Sequence, residues 1–244
     1  MTTRVAIHQP QFFPYPGFFH KLSMADAFVI MDDVQYDKRF TNRNRILAPQ
    51  GPTWLTVPID KADKFSPNLA VKVNNALPWR EEHWKKITYS YKNSRFFHLY
   101  REYLEGLYQG RHEMLFDLNL ETILTVMKWL DIRIPVVKES QLGVTGEGTE
   151  RLVNACKAMG ADEYVSGAGG KNYMDEKLFA EQGIALRHQG YEPSAYPQRF
   201  VQEFVPNLSI LDMLFNVGPE SQNLVRGAAQ GDLLKPLPSG TNKS

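Results

Sequence analysis

Apolar and polar positions along the chain fall into short runs that read as strands and helices in turn. Residues 4–8 (RVAIH) form an apolar stretch of strand length. Residues 17–25 (GFFHKLSMA) place Phe18, Leu22 and Ala25 near helical spacing, and 27–31 (AFVIM) form a second apolar run too short for a helix. Strand, loop, helix and strand within about 30 residues is the pattern of a βαβ unit. Residues 32–52 are polar and rich in Arg and Asn, after which 53–59 and 69–73 alternate as strands do.

Helical spacing then dominates: 79–93, 95–109 and 117–130 carry apolar residues at intervals of three and four. The strand and helix alternation returns with a strand at 133–137 and a helix at 149–159 that Thr149 is placed to cap. A strand at 163–166, a helix at 173–181 and a strand at 184–188 follow. A last helix, 209–216, opens at Ser209 with Asp212 at the capping-box position. This order predicts an α/β fold, a Rossmann-like parallel sheet with helices on both faces and an α-helical insertion. We expect a single domain over residues 1–228, the insertion spanning about 79–131, and a flexible tail over 229–244.

Composition narrows the classes of function. The chain has 244 residues, and its 28 basic against 27 acidic side chains leave a net charge of +1. That balance gives no overall field to draw nucleic acid or an anionic membrane, and the basic residues are not gathered on one helix, so no nucleic-acid partner is expected. No run approaches the roughly 18 apolar residues of a membrane span. One cysteine, Cys156, cannot form an intrachain disulfide, and no signal-like apolar segment opens the chain, so a cytoplasmic location is expected. The six histidines show neither HExxH nor a pairing with cysteine, so no protein metal-ligand set is expected.

The candidate chemistry gathers where predicted strands end. In open parallel sheets ligands bind beyond the carboxyl ends of the strands. His8 and Gln9 end the first strand, in the loop HQPQFFPYPG that also holds Tyr15 and Gly17. Gly17 opens the next helix, whose free N–H groups suit an anion and whose missing side chain admits one closely. The alternative is that Pro10, Pro14 and Pro16 only stiffen a turn. Asp32 and Asp33 end the second strand and suit sugar hydroxyls or Mg²⁺, though neighbours in a strand face opposite ways and only one would reach a ligand.

Lys38, Arg39, Asn42, Arg43, Asn44 and Arg45 follow; Arg43 and Arg45 point the same way if this segment is extended. Arginine forks match phosphates and carboxylates, and a solvated basic loop is the plainer account. In YVSGAGGKNY, Ser166 and Gly167 follow another strand and can cradle phosphate, although the spacing fits neither a P-loop nor Gly-x-Gly-x-x-Gly, and a simple turn explains it too. Asp212 in an apolar helix calls for a buried partner, an arginine or a histidine.

The first loop resembles the nucleotide-binding loop of the HUP superfamily, whose nucleotidyltransferases and class I synthetases carry a His-x-Gly-His tetrad there. The aligned residues here are Tyr15, Pro16, Gly17 and Phe18, so both histidines of that tetrad are missing. A longer resemblance rests on five ordered segments: HQPQFFPYPGFFHKL, FVIMDDVQYDKRFTNRNRI, WLTVPI, YVSGAGGKNYMD and SILDMLFNVG. Together they resemble the WbqC-like family over about residues 4–218. The resemblance implies work in bacterial surface-polysaccharide (O-antigen) biosynthesis, with glycyl transfer a suggested chemistry. It also makes His8, Gln9, Gly17, Asp32, Asp33, Arg43, Asn44, Arg45, Ser166, Gly167, Tyr173, Asp212 and Asn216 family-like positions.

The resulting expectation is a transferase acting on a nucleotide-linked sugar or similar small acceptor. His8, Asp32 and Asp33 form its catalytic set: His8 as general base or phosphate contact, an aspartate orienting an amine or hydroxyl or holding Mg²⁺. Gln9, Tyr15, Gly17, Arg43, Asn44, Arg45, Ser166, Gly167 and Tyr173 form its substrate-binding set, with ATP or another nucleotide plus Mg²⁺ as the cofactor considered. The rival is a non-catalytic nucleotide- or sugar-binding accessory protein, and convergence of His8, the arginines and the Ser166 loop on one site would separate the two.

Overall fold

The computed structural model describes residues 2–167, 169–170 and 174–227; Tyr173 and the tail from 228 lie outside the described residues. In chain order the elements are β1 Arg4–His8, α1 Pro16–Ser23, β2 Ala27–Ile30, β3 Arg43–Ala48 and β4 Gly51–Thr56. Then come α2 Trp79–Tyr91, α3 Phe97–Gln109, α4 Leu115–Trp129, β5 Val136–Lys138 and α5 Gly148–Ala158. β6 Glu163–Ser166, α6 Glu176–Glu181, β7 Ala185–His188, α7 Ile210–Val217 and α8 Ser221–Val225 complete the set.

Five strands form one parallel sheet in the order β5-β2-β1-β6-β7. This is the Rossmann-like 3-2-1-4-5 arrangement, and the order reverses between β1 and β6. Side chains alternate across the sheet as the period of two requires. Ala6, Phe28 and Ile30 pack on one face with Phe18, Phe19 and Leu22 of α1, Val126 of α4 and Phe215 of α7. Val5, Ile7, Ala27 and Val29 pack on the other with Leu152, Val153 and Cys156 of α5 and Phe179 of α6. The expected α/β architecture with helices on both faces is therefore present. No helix among the described residues is long and apolar enough to cross a membrane.

Pro16 starts α1 at a position where its missing N–H costs nothing, and the phenylalanines turn inward onto the sheet. Asp26 ties the two central strands together at their amino ends, accepting from the backbone N, Nε and Nη2 of Arg4 at 2.9–3.1 Å. Several details differ from the sequence expectation. The polar stretch after Asp33 contains β3, paired antiparallel with β4. Its inward positions include Asn44 beside Ile46, so a buried asparagine masks the alternation. Residues 69–73 form no strand: Val71 and Val73 do turn inward, but this segment meets its neighbours only in single bridges at Val73 and Lys72. Thr149 does not cap α5; its hydroxyl accepts from Asp175 N, while Asp175 caps α6.

Candidate functional site at the strand-order reversal

The β1–β6 ladder ends at the pair Ala6 and Val165, whereas β1 stays paired with β2 through His8 and Ile30. The strands thus part on the β6 side at the carboxyl edge, where His8 and Ser166 end them. This is the crevice where ligands of such sheets bind.

His8 stands on the α1 face, its ring 4.9 Å edge-on from Phe18. Its Nδ1 lies 2.9 Å from the carbonyl oxygen of Gln9. A carbonyl only accepts, so Nδ1 carries the proton and Nε2 is left as an acceptor. Burial, with the nearby Lys21 ammonium, pushes the His8 pKa down to about 3, against a small opposing effect of the Gln9 carbonyl. The imidazole is therefore neutral throughout the physiological range.

Lys21, which sequence reasoning passed over, is buried, and its Nζ donates to the Ile7 carbonyl at 2.9 Å. Burial brings its pKa down to about 7. The signal was available: a lysine at position 21 of an otherwise inward helical stripe has nowhere to go but the strand end beneath it.

Ser166 is buried, its hydroxyl donating to the Gly167 carbonyl at 3.1 Å and touching Met174 Sδ at 3.9 Å. A Cβ at Gly170 would collide with that hydroxyl, so the glycine makes room for Ser166. Gln189, just past β7, donates its backbone N to the Ser166 carbonyl at 3.0 Å, and its side chain lies near the Tyr15 hydroxyl. Burial raises the pKa of that phenol. Tyr15 and Tyr191 meet edge to face with centroids 6.3 Å apart, and His20 lies 5.3 Å from Tyr191. Their two phenol rings fill the space that a Gly17 side chain would take. Gly17 thus admits two aromatic rings rather than leaving an open cradle. On the opposite side Asn68 donates to the Met31 carbonyl at 3.2 Å and reaches Gln9 Oε1 at 3.5 Å.

The aspartates have other engagements. Asp32 is buried and accepts from Ser140 N at 2.9 Å and Ser140 Oγ at 2.7 Å, which locks the end of β2 to the segment after β5. Asp33 is half-exposed and lies 3.8 Å from Arg151, whose fork also grips buried Glu139 at 2.9 and 3.0 Å. Of the pair, Asp33 is the carboxylate that solvent reaches. No group of three or more His, Cys, Asp or Glu side chains stands together as a metal site among the described residues.

Arg43 and Arg45 do share one side of β3, where their guanidinium carbons lie 4.5 and 5.7 Å from the ring centroid of Trp54. No contact joins either fork to His8 or Ser166 among the described residues. Asn44, between them, points inward: Nδ2 donates to the Phe13 carbonyl at 2.8 Å and Oδ1 accepts from Arg45 N at 2.8 Å. The structure therefore places His8 and Tyr15 on the α1 face of this edge, with Gln9 following His8, Ser166 on the α5 and α6 face beside Met174, and Asn44 as a brace behind the first loop. The paired arginines stand apart on a hairpin.

Asp212 lies in none of these walls. It is fully buried and accepts from Tyr91 Oη at 2.6 Å, Tyr196 Oη at 2.9 Å and Gln198 Nε2 at 2.9 Å. Three neutral donors replace the expected arginine or histidine. A cavity of about 320 Å³ sits elsewhere, between the β3–β4 turn and α2, beside Gln50, Lys86 and Tyr89.

No solved structure matches the chain. The chain is 32% identical over 229 residues to the Uncharacterized protein Rv1507c of Mycobacterium tuberculosis (strain ATCC 25618 / H37Rv), covering 93% of this chain and 99% of that protein. The model of the WbqC-like protein family matches residues 9–224, so the chain belongs to the WbqC-like protein family.

Proposed function

We propose that the protein is a transferase that binds a nucleotide-linked sugar, or a similar small phosphorylated acceptor, in the crevice between β1 and β6, in surface-polysaccharide biosynthesis. The observation that carries this reading is the parting of β1 and β6 at the strand-order reversal, with His8 and Ser166 at the ends of the two strands. A neutral imidazole with Nε2 as acceptor can take a hydrogen bond from a substrate hydroxyl or amine. Its low basicity rises when an anionic group comes beside it. Tyr15 and Tyr191 supply flat faces for a base or sugar, and Asp33, half-exposed after β2, is the carboxylate that would hold a Mg²⁺ carried on phosphates. An aminoacyl group is a donor in keeping with this chemistry.

A second reading, a non-catalytic carrier of the same ligand, draws on the pKa of about 3 at His8, which is low for a general base. A thermal-shift screen against ATP, CTP, UDP-sugars and amino acids, each with and without Mg²⁺, tests both. Ligands that bind only the folded chain raise Tm by linkage. The transferase reading expects a shift with a nucleotide or nucleotide-sugar that His8→Ala abolishes. A shift that His8→Ala leaves intact favours the carrier, and no shift with any nucleotide rejects both.

A further inference from the structure

Carbonyls in a strand point alternately to its two neighbours. The His8 carbonyl accepts from Met31 N at 2.9 Å, so it faces the β2 side. The Ile7 carbonyl must then face β6. In a continued parallel ladder it would take an amide of the segment after Ser166. It takes Lys21 Nζ instead, at 2.9 Å. A single ammonium thus occupies the gap where β1 and β6 part.

That ammonium is an odd structural element. The Lys21 side chain is 2% exposed, and the Ile7 carbonyl is its one acceptor among the described residues. No described carboxylate stands within ion-pair distance of it. Holding a buried amine as an ammonium without a counter-charge is costly, which is why burial lowers its pKa to about 7, and an apolar side chain of similar length would serve packing better. No described residue supplies the charge that would balance it, and the ammonium stands beside His8 at the edge where β1 and β6 part.

We propose that Lys21 is the anion-binding residue of this crevice, and that the ligand meets it with a phosphoryl group. The assignment rests on the crevice being the ligand site and names the chemical class of the ligand's buried end. A phosphoryl oxygen takes the free protons of Nζ while the Ile7 carbonyl fixes the ammonium. His8 flanks the same point as a neutral hydrogen-bonding group. The titratable group that faces Lys21 among the described residues is this imidazole, and it contributes no competing charge.

The test uses the full chain with inorganic pyrophosphate, UDP and uridine as probes, in wild type, Lys21→Met and Lys21→Arg, read by Tm and by titration calorimetry. Pyrophosphate and UDP should bind wild type, uridine should bind at least tenfold more weakly than UDP, and Lys21→Met should lose at least tenfold in affinity for both anions. Lys21→Arg, which keeps the charge, should retain part of that affinity. Without ligand, Lys21→Met should melt no lower than wild type. Anions that bind Lys21→Met as tightly as wild type overturn the assignment while leaving the nucleotide reading intact. Pyrophosphate binding through Lys21 without any nucleotide binding upholds the assignment and sinks that reading. Failure of every anion to bind wild type, or failure of Lys21→Met to fold, overturns the assignment.

Discussion

The Ser209 hydroxyl donates to the Phe13 carbonyl at 2.9 Å, joining the last long helix to the first loop across 196 residues of sequence. The same carbonyl accepts from Asn44, and Ile210 N reaches the Pro14 carbonyl at 2.9 Å. Phe13 has φ of +39°, a conformation that a bulky residue adopts only when its surroundings impose it. The loop that carries Gln9 and Tyr15 is thus held from β3 and from the start of α7. Asn44→Ala and Ser209→Ala should each lower stability by about 1–3 kcal/mol, since each leaves buried polar groups short of a partner. Ligand affinity should fall in both beyond what the Tm change alone implies. Denaturant unfolding and calorimetry on the two variants check this.

Asp212 makes a second prediction. Burial raises its pKa, and the hydrogen bonds from Tyr91, Gln198, Tyr196 and Asn216 oppose that rise. Tyr91 Oη also accepts from Leu47 N at 2.8 Å, so one phenol links α2, β3 and α7. Tyr91→Phe should cost about 2–4 kcal/mol, because the Leu47 amide and an Asp212 oxygen both lose their partner. Asp212→Ala should cost at least as much. Equilibrium unfolding measures both, and a change under about 0.5 kcal/mol in either would mean that this network does not bear on stability.

Acid should unfold the protein through its histidines. His83 is buried between Trp79, Phe12 and Tyr108, and its pKa falls to about 3 through burial, the Thr56 carbonyl opposing. His8 falls to about 3 as well. In the unfolded chain both titrate near 6.5. Between that value and about 3 the unfolded state binds more protons, so the contribution of these two histidines is full above pH 6.5 and drains as pH falls. Each histidine can contribute up to roughly 5 kcal/mol to that loss. Unfolding free energies across this range should fall steeply in wild type and less steeply in His83→Phe.

Gly17 separates two roles for the first helix. A Cβ there would run into the Tyr15 and Tyr191 rings. The rings can swing aside, so Gly17→Ala should fold while displacing the aromatic wall. Weaker ligand binding with a modest Tm change is the expected result. Unchanged affinity would show that the wall takes no part in binding.

Much of the site is legible in the sequence because strand ends are. His8 and Ser166 fall at the close of apolar runs bounded by Gly and Pro, and a parallel sheet puts such residues on one edge. That their strands lie side by side is a long-range property, set by which strands pair. Lys21 and Asn44 were harder to place because both are polar residues in inward positions, where pattern reading expects apolar ones. Asp32 looked like a ligand-facing carboxylate, yet the Ser140 amide and hydroxyl, 108 residues away, take both its oxygens. No local pattern carries that pairing. Arg43 and Arg45 face one way as an extended segment requires, and Trp54, directly opposite Arg45 in β4, draws them onto its ring.

The most direct test is where a ligand sits. A crystal of the chain soaked with the nucleotide or nucleotide-sugar that gives the largest thermal shift should show phosphate density between β1 and β6, in hydrogen-bonding reach of Lys21 Nζ, with the rest of the ligand passing His8 toward Tyr15 and Tyr191. Density on the Arg43–Trp54–Arg45 face, or in the cavity beside Gln50 and Lys86, with the crevice empty, would contradict the account.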